Sequence, residues 1–434
     1  MRGLLGSSIA SIAVKGVAAV AGLTANVLIA RALGPSGAGT YFLALTVLTV
    51  FAVVGRAGTD VAALKHVAAY LGRARSDLAS VVVHASWSRL RTFAGLATAA
   101  LAAFAWFGAA QAFGDGALTR PLLVMAAAVV PLAGIGLVAE LLKAERRVVL
   151  GMIVQSLWIP ATVATGLGLA LVSGWSLAPV HVAIFYVVAS TTGVLAGWRF
   201  HRRLIESTPV PARAARGDDA PAPESVDDAS LGREANTYLA IAVQNLVLTT
   251  TDTIMLGLMA APAEVGLFVV AMRVANIGSL ALAAINSVVG PRFANYAGQG
   301  DREGLARLAR TMTRFMAAVS LVLFGGLFAF RSEILGLFGP EFTAASTAFA
   351  ILCLGQLVVL GTGPTAYLLM MTGHHAFHRT SLSVAAVANI VLNLVLIPWL
   401  GIVGAAIATA ASHGVKNLIT VGYVRVRLGF WVLP

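Results

Sequence analysis

Ionisable side chains set inside long apolar runs are the residues of this chain that could do chemistry, because such groups are costly in lipid unless they face a cavity or a partner. Lys15 stands in the first apolar run, with Ser8, Ser11, Gly22 and Asn26 at helical spacing around it. That small, polar stripe is a place where a cation could meet an anionic group; the other reading is that Lys15 snorkels to the inner interface. Asp252 is the one acid well inside an apolar run, and it shares a helix face with Asn245 and Thr249. At about 1.5 Å per residue it lies roughly 10 Å from the outer end of its helix, and Arg273, in the next helix, roughly 14 Å. The comparable depths predict an Asp252–Arg273 ion pair. Such a pair is either a switch, in which Asp252 takes a proton or an ion and frees Arg273 for an anionic substrate, or a permanent brace between two helices.

Arg56 and Asp60 are four apart and share a helix face, so they either gate a cytoplasmic entrance or pair at the headgroups. Arg31 precedes the turn ALGPSG, where it holds an outer gate or rests at the interface. Gln155, Gln244, Asn276, Asn389 and Asn393 offer hydrogen bonds either to a polar substrate or to neighbouring helices.

Some chemistry is missing. The eight histidines show no metal-ligand spacing, and no Walker A sequence is present, so neither a metal nor ATP is expected. Gly34, Gly37 and Gly39 resemble a phosphate cradle only superficially, because no strand precedes them. The short outer loops carry no set of acids or histidines for a glycosyltransferase or polymerase, so no enzyme and no cofactor is expected. Cys353 is the single cysteine, which rules out a disulfide framework.

The elements that must position these groups are membrane helices. Of the 434 residues, 59% are hydrophobic and only 11% charged, with a mean hydropathy of +0.87; a soluble domain carries about 25% charged residues. Apolar runs of spanning length recur about twelve times. Met1-Arg2 and the run after it imitate a signal peptide, but the run is too long for one and leads straight into another span, which predicts an uncleaved first helix. The net charge of +12 does not point to nucleic acid, because no aromatic-plus-basic stripe accompanies it. With twelve spans and the N-terminus inside, inner loops hold Arg73, Arg75, Lys143, Arg146, Arg147, Arg199, Arg202, Arg302 and Arg307, against Arg31, Arg120 and Arg331 outside. That asymmetry predicts both termini in the cytoplasm and inner loops that attract anionic membrane lipids.

The apolar runs also repeat. Pro35, Gly39, Tyr41 and Ala44 are answered by Pro262, Gly266, Phe268 and Ala271, roughly 227 residues further on, and Ala139, Leu141 and Leu142 by Ala366, Leu368 and Leu369 at the same offset. Between the halves, residues 204–233 are rich in Pro, Ala, Asp and Arg and predict a flexible cytoplasmic linker. The expected architecture is an all-α polytopic membrane protein of about 12 transmembrane helices, in two parallel six-helix lobes (1–203 and 234–434) around a central cavity. Pro131, Pro160 and Pro364 are expected to kink their helices.

Four segments, in the correct order, resemble the polysaccharide flippase branch of the multidrug/oligosaccharidyl-lipid/polysaccharide exporter superfamily. They are ARALGPSGAGTYFLALTVLTVF (30–51), TDTIMLGLMAAPAEVGLFVVAMRVANI (251–277), GPRFANYAGQGDREGLARLAR (290–310) and LNLVLIPWLGIVGAAIATA (392–410). The resemblance implies export of a lipid-linked oligosaccharide across the cytoplasmic membrane by rocking of the two lobes, with polysaccharide polymerase machinery as a candidate partner. On that expectation Lys15, Arg31, Arg56, Arg273, Asn26, Gln244 and Asn276 are the substrate-binding candidates, and Asp252 and Asp60 serve ion coupling or gating. The competing expectation is a cation-coupled multidrug antiporter of the same superfamily, which would bury carboxylates in the first lobe, where this chain offers Lys15 and no central acid.

Overall fold

A computed structural model describes residues 2–73, 75–114, 116–207 and 228–433, and all regular structure among the described residues is helical. Seven helices matter below: α1 (Arg2–Arg56), α2 (Thr59–Gly72), α3 (Ser76–Ala103), α4 (Val129–Ala144), α5 (Asp228–Met259), α6 (Pro262–Ala275) and α7 (His375–Tyr423). Among the described residues, eight helices are long and apolar enough to cross a bilayer, or nine if the bent pair Gly116–Ala126 and Val129–Ala144 forms one span. Trp106, Phe107, Val172 and Trp399 are between 68% and 89% exposed. Large apolar side chains are displayed this freely where lipid, not water, is the solvent.

Two of the eight are long enough for two crossings. Ala13–Arg56 has 44 residues and His375–Leu428 has 54, whereas about 20 span the hydrocarbon core. Each contains a break, at Gly34 (φ 64°, ψ 180°) and at Gly401 (φ 52°, ψ −130°). At the first break, Pro35 has no N–H to continue the ladder, and glycine tolerates the positive φ that a side chain would resist. Pro131 and Pro160 lie in the first turns of α4 and of the helix Trp158–Val172, and Pro364 caps Thr365–Met371. Pro131 and Pro364 therefore fall where a helix starts and the missing N–H has no helical partner to lose, whereas Pro160 lies inside the continuous span Val148–Val172, just after its π-helical turn Ile153–Leu157.

The chain forms two compact units. One contains residues 1–28 and 44–243, the other residues 29–43 and 244–434. In the first, Ile135, Val138, Leu142 and Val154 are buried together beneath Trp87 and Val194. In the second, Val289, Phe293, Leu305, Leu368, Leu369 and Val421 form a buried cluster. Four repeated pairs share one environment, since Tyr41, Ala44, Leu141 and Leu142 and their counterparts Phe268, Ala271, Leu368 and Leu369 are all at most 1% exposed, whereas Ala139 is buried and Ala366 only partly so. The helix Pro179–Ser207 and α5 run into the expected linker and make its ends, 204–207 and 228–233, helical, and residues 208–227 of it lie outside the described residues.

Candidate functional site

Asp252 is the best-enclosed acid of the second unit, 1% exposed. Its Oδ1 accepts from Asn389 Nδ2 at 2.8 Å and from Asn393 Nδ2 at 2.6 Å, and its Oδ2 accepts from Thr409 Oγ1 at 2.8 Å. Helical spacing supplies the partners. Asn389 and Asn393 are four apart on α7 and point the same way, while Thr409 arrives from beyond the Gly401 break, with Ser412 one turn on. The result is a carboxylate ringed by neutral donors. Asn393 Oδ1 is buried in the same cluster without a hydrogen-bond partner. A lone carboxylate, a hydroxyl and an unspent amide oxygen can together accept one proton or one small cation.

The expected Asp252–Arg273 pair is replaced by this arrangement. Arg273, on α6, instead places its guanidinium carbon 4.5 Å from the centroid of the buried Phe42 ring. Equal depth was the only argument for the pair, and depth does not say which way a side chain faces around its helix. Phe42 was not singled out by sequence reasoning, although it stands beside the repeated Tyr41.

Next to Arg273, the two copies of the repeat pack on each other. A Cβ added to Gly39 would stand 1.7 Å from the Pro262 carbonyl oxygen, and one added to Gly266 would stand 2.1 Å from that of Pro35. The contact is reciprocal, so each repeat supplies a glycine to the other's proline turn. Arg31 fastens the same segment to the second unit, its Nε donating to the Leu337 carbonyl at 2.7 Å.

Several other candidates are already engaged. Gln244 donates to the Arg379 carbonyl and to Ser383 Oγ (2.6 Å), which joins α5 to α7. Asn276 Oδ1 accepts from Gln356 Nε2 at 2.8 Å. Gln155 accepts from Lys143, whose ammonium also reaches Glu140 at 2.6 Å. Lys15 is exposed and Asn26 partly buried on α1.

Arg56 and Asp60 form the ion pair that their spacing predicts, at 3.1 Å. Gly136 of α4 makes room for it, because a Cβ there would stand 2.7 Å from Arg56 Cδ. Gly136→Ala is expected to push the arginine off Asp60 and lower stability by about 1–3 kcal/mol, as read by thermal unfolding in detergent. An unchanged midpoint would show that the pair has slack.

Every carboxylate of the first unit whose side chain is described carries a basic partner. Asp60 has Arg56, Asp77 has Arg75, Glu140 has Lys143, Glu145 has His201, and Glu234 is shared by Lys65 and His66. The Glu234 carboxylate holds the exposed Lys65 ammonium above its usual value. Lys416, within the last apolar run and partly buried, escaped the sequence reading, although the criterion that selected Lys15 would have found it.

Known structures with this arrangement are transporters. An inward-facing multidrug resistance MATE family transporter of the MOP superfamily superposes with a TM-score of 0.74 at 12% identity, covering 97% of this chain and 98% of that one. The lipid II flippase MurJ in an inward closed conformation gives 0.70 at 12%, covering 96% and 87%. The fold therefore defines a multi-pass helical membrane protein with the MATE and MurJ transporter architecture. Residues 4–297 match the family described as polysaccharide biosynthesis protein, and the chain belongs to that family. A MatE family match covers residues 239–399. Two relatives from Haloferax volcanii, the probable low-salt glycan biosynthesis flippase Agl15 and the probable flippase AglR, are each 28% identical over 40% and 39% of this chain. The matches span 37% and 36% of those relatives' own lengths.

Proposed function

We propose that this protein is a flippase that carries lipid-linked oligosaccharide, of the undecaprenyl-pyrophosphate type, across the cytoplasmic membrane for surface polysaccharide synthesis. The observation that carries the reading is membership of the polysaccharide biosynthesis family over residues 4–297, and the glycan flippases among its relatives support it. Electrostatics favour it as well. An antiporter of this superfamily is expected to bury unspent carboxylates in its first half, and those described in the first unit are each paired with a basic side chain.

The architecture this reading takes is twelve crossings in two six-helix lobes, 1–203 and 234–434, joined by the linker 204–233, with both termini cytoplasmic. Lys15, Arg31, Arg56 and Arg273 are the cations offered to the pyrophosphate. Asn26, Gln244 and Asn276 offer their amides to sugar hydroxyls, the latter two by exchanging present partners during the cycle. Asp60 gates through Arg56, and Asp252 takes the proton or cation that biases the two states. The protein is a carrier, not an enzyme. It redistributes substrate only through differential affinity of its states, so a gradient at Asp252 or consumption by a polysaccharide polymerase drives the flux.

The test is vesicles containing the purified chain and a fluorescent undecaprenyl-pyrophosphate oligosaccharide, with transfer read by a membrane-impermeant quencher. Wild type is expected to expose the label. Lys15→Gln and Arg273→Gln are each expected to slow exposure about tenfold or more, as loss of a charged hydrogen bond implies, at unchanged protein abundance. Proton- or sodium-driven uptake of a cationic dye without any lipid transfer would instead establish the antiporter.

A further inference from the structure

A cavity of about 280 Å³ opens in the first unit between α2, α3 and the start of α5. Its lining carries one cation, Arg89, three hydroxyls, on Thr59, Ser86 and Ser88, and no carboxylate. Two of these groups are unspent. Ser86 is 1% exposed, and its Oγ has no hydrogen-bond partner. Arg89 Nε is likewise buried without one, while its Nη2 donates to Asn236 Oδ1 on α5.

The guanidinium is held in place from several sides. Phe93 lies beneath it, with 5.0 Å between the guanidinium carbon and the ring centroid. Gly232 leaves it room, because a Cβ there would stand 3.3 Å from Nη1. The Glu234 carboxylate, also on α5, is already taken by Lys65 and His66. A buried donor left unpaired is costly, and here a guanidinium N–H and a hydroxyl share one cavity that contains no competing acid. An acceptor with several oxygens and negative charge satisfies both, and a guanidinium suits phosphate oxygens in particular.

We infer that this cavity is a binding site for a phosphate ester, with Arg89 Nε and Ser86 Oγ donating to its oxygens. The ester is either the headgroup of an anionic lipid or a soluble phosphate. Occupied, the site ties the start of α5 to α2 and α3, because Arg89 already bridges α3 to Asn236.

The experiment uses the full chain in phosphatidylcholine nanodiscs, with thermal unfolding followed against added phosphatidic acid, inorganic phosphate or further phosphatidylcholine. A saturable rise in midpoint is expected with phosphatidic acid, a net-anionic phosphate monoester, and not with phosphatidylcholine, whose phosphodiester is neutralised by its choline. A rise with phosphatidic acid alone assigns a lipid headgroup, and a rise with inorganic phosphate as well assigns a site open to soluble phosphate. Arg89→Gln is expected to weaken the response about tenfold or more, and Arg89→Lys to restore part of it. Ser88→Glu is an independent arm, because position 88 is exposed and its new carboxylate would compete for Arg89 without removing it. No saturable response in wild type overturns the inference. So does an equal response in wild type, Arg89→Gln and Ser88→Glu, or an equal response to phosphatidylcholine.

Discussion

Asp252→Asn is expected to leave the protein folded and abundant while lowering transport about tenfold or more, the scale of a lost coupling between sites. The amide keeps an oxygen for the Asn389 and Asn393 donors, and the Thr409 hydroxyl, which faces Oδ2 at 2.8 Å, can turn from donor to acceptor. Only the charge disappears, and with it the capacity to take a proton or cation. Asp252→Leu should behave differently. It strands two buried amide N–H groups, on Asn389 and Asn393, each costing about 1–3 kcal/mol when unpaired, while Thr409 keeps the Ala405 carbonyl at 2.9 Å, so unfolding and loss of membrane-inserted protein are expected. Vesicle transport read beside a detergent unfolding curve separates the two variants. Wild-type transport by Asp252→Asn would reduce Asp252 to a brace between α5 and α7.

The second large effect is expected at the reciprocal glycines. Gly39→Ala and Gly266→Ala each drive a methyl group into a carbonyl oxygen, at 1.7 and 2.1 Å. The obstacle is backbone, so no rotamer change relieves it and the helix segments themselves must part. Overpacking of this kind costs roughly 3 kcal/mol or more when the surroundings cannot yield. The expected result is a fall in the unfolding midpoint in both single variants. The double variant should cost little more than either one, because a single separation accommodates both methyls. Additive losses would mean that the two approaches are independent and the reciprocity has no energetic meaning. Gly325→Ala, where an added Cβ meets nothing within 4 Å, serves as the silent control.

The two predictions rest on different kinds of information. Gly39 and Gly266 were visible as repeat partners at matched positions, because duplication leaves its mark on residue order. That one copy packs on the other was not visible, since equivalence in sequence says nothing about contact. Asp252 was visible as a costly acid in an apolar run, whereas its partners were not. Asn389 and Thr409 lie 137 and 157 residues away, and counting rise along a helix gives height but not azimuth. Successive residues turn by about 100°, so an error of one position points a side chain at a different neighbour. Arg273 illustrates the consequence, since its height matched Asp252 while its guanidinium lies over Phe42.

Local spacing was reliable where partners are local. Arg56 and Asp60 pair as predicted because one helical turn brings them together whatever the rest of the chain does. The break at Gly34 falls in the turn ALGPSG that the sequence places after Arg31. By itself, then, the sequence determined the solvent, the helical class, the repeat and the short-range pairs, all of which depend on composition and on contacts within a turn or two. Only the tertiary structure decided what surrounds Asp252, what Arg273 stacks on, and that Arg89 and Ser86 share an unfilled cavity. Those depend on how helices distant in sequence rotate about their own axes to bury polar groups against one another.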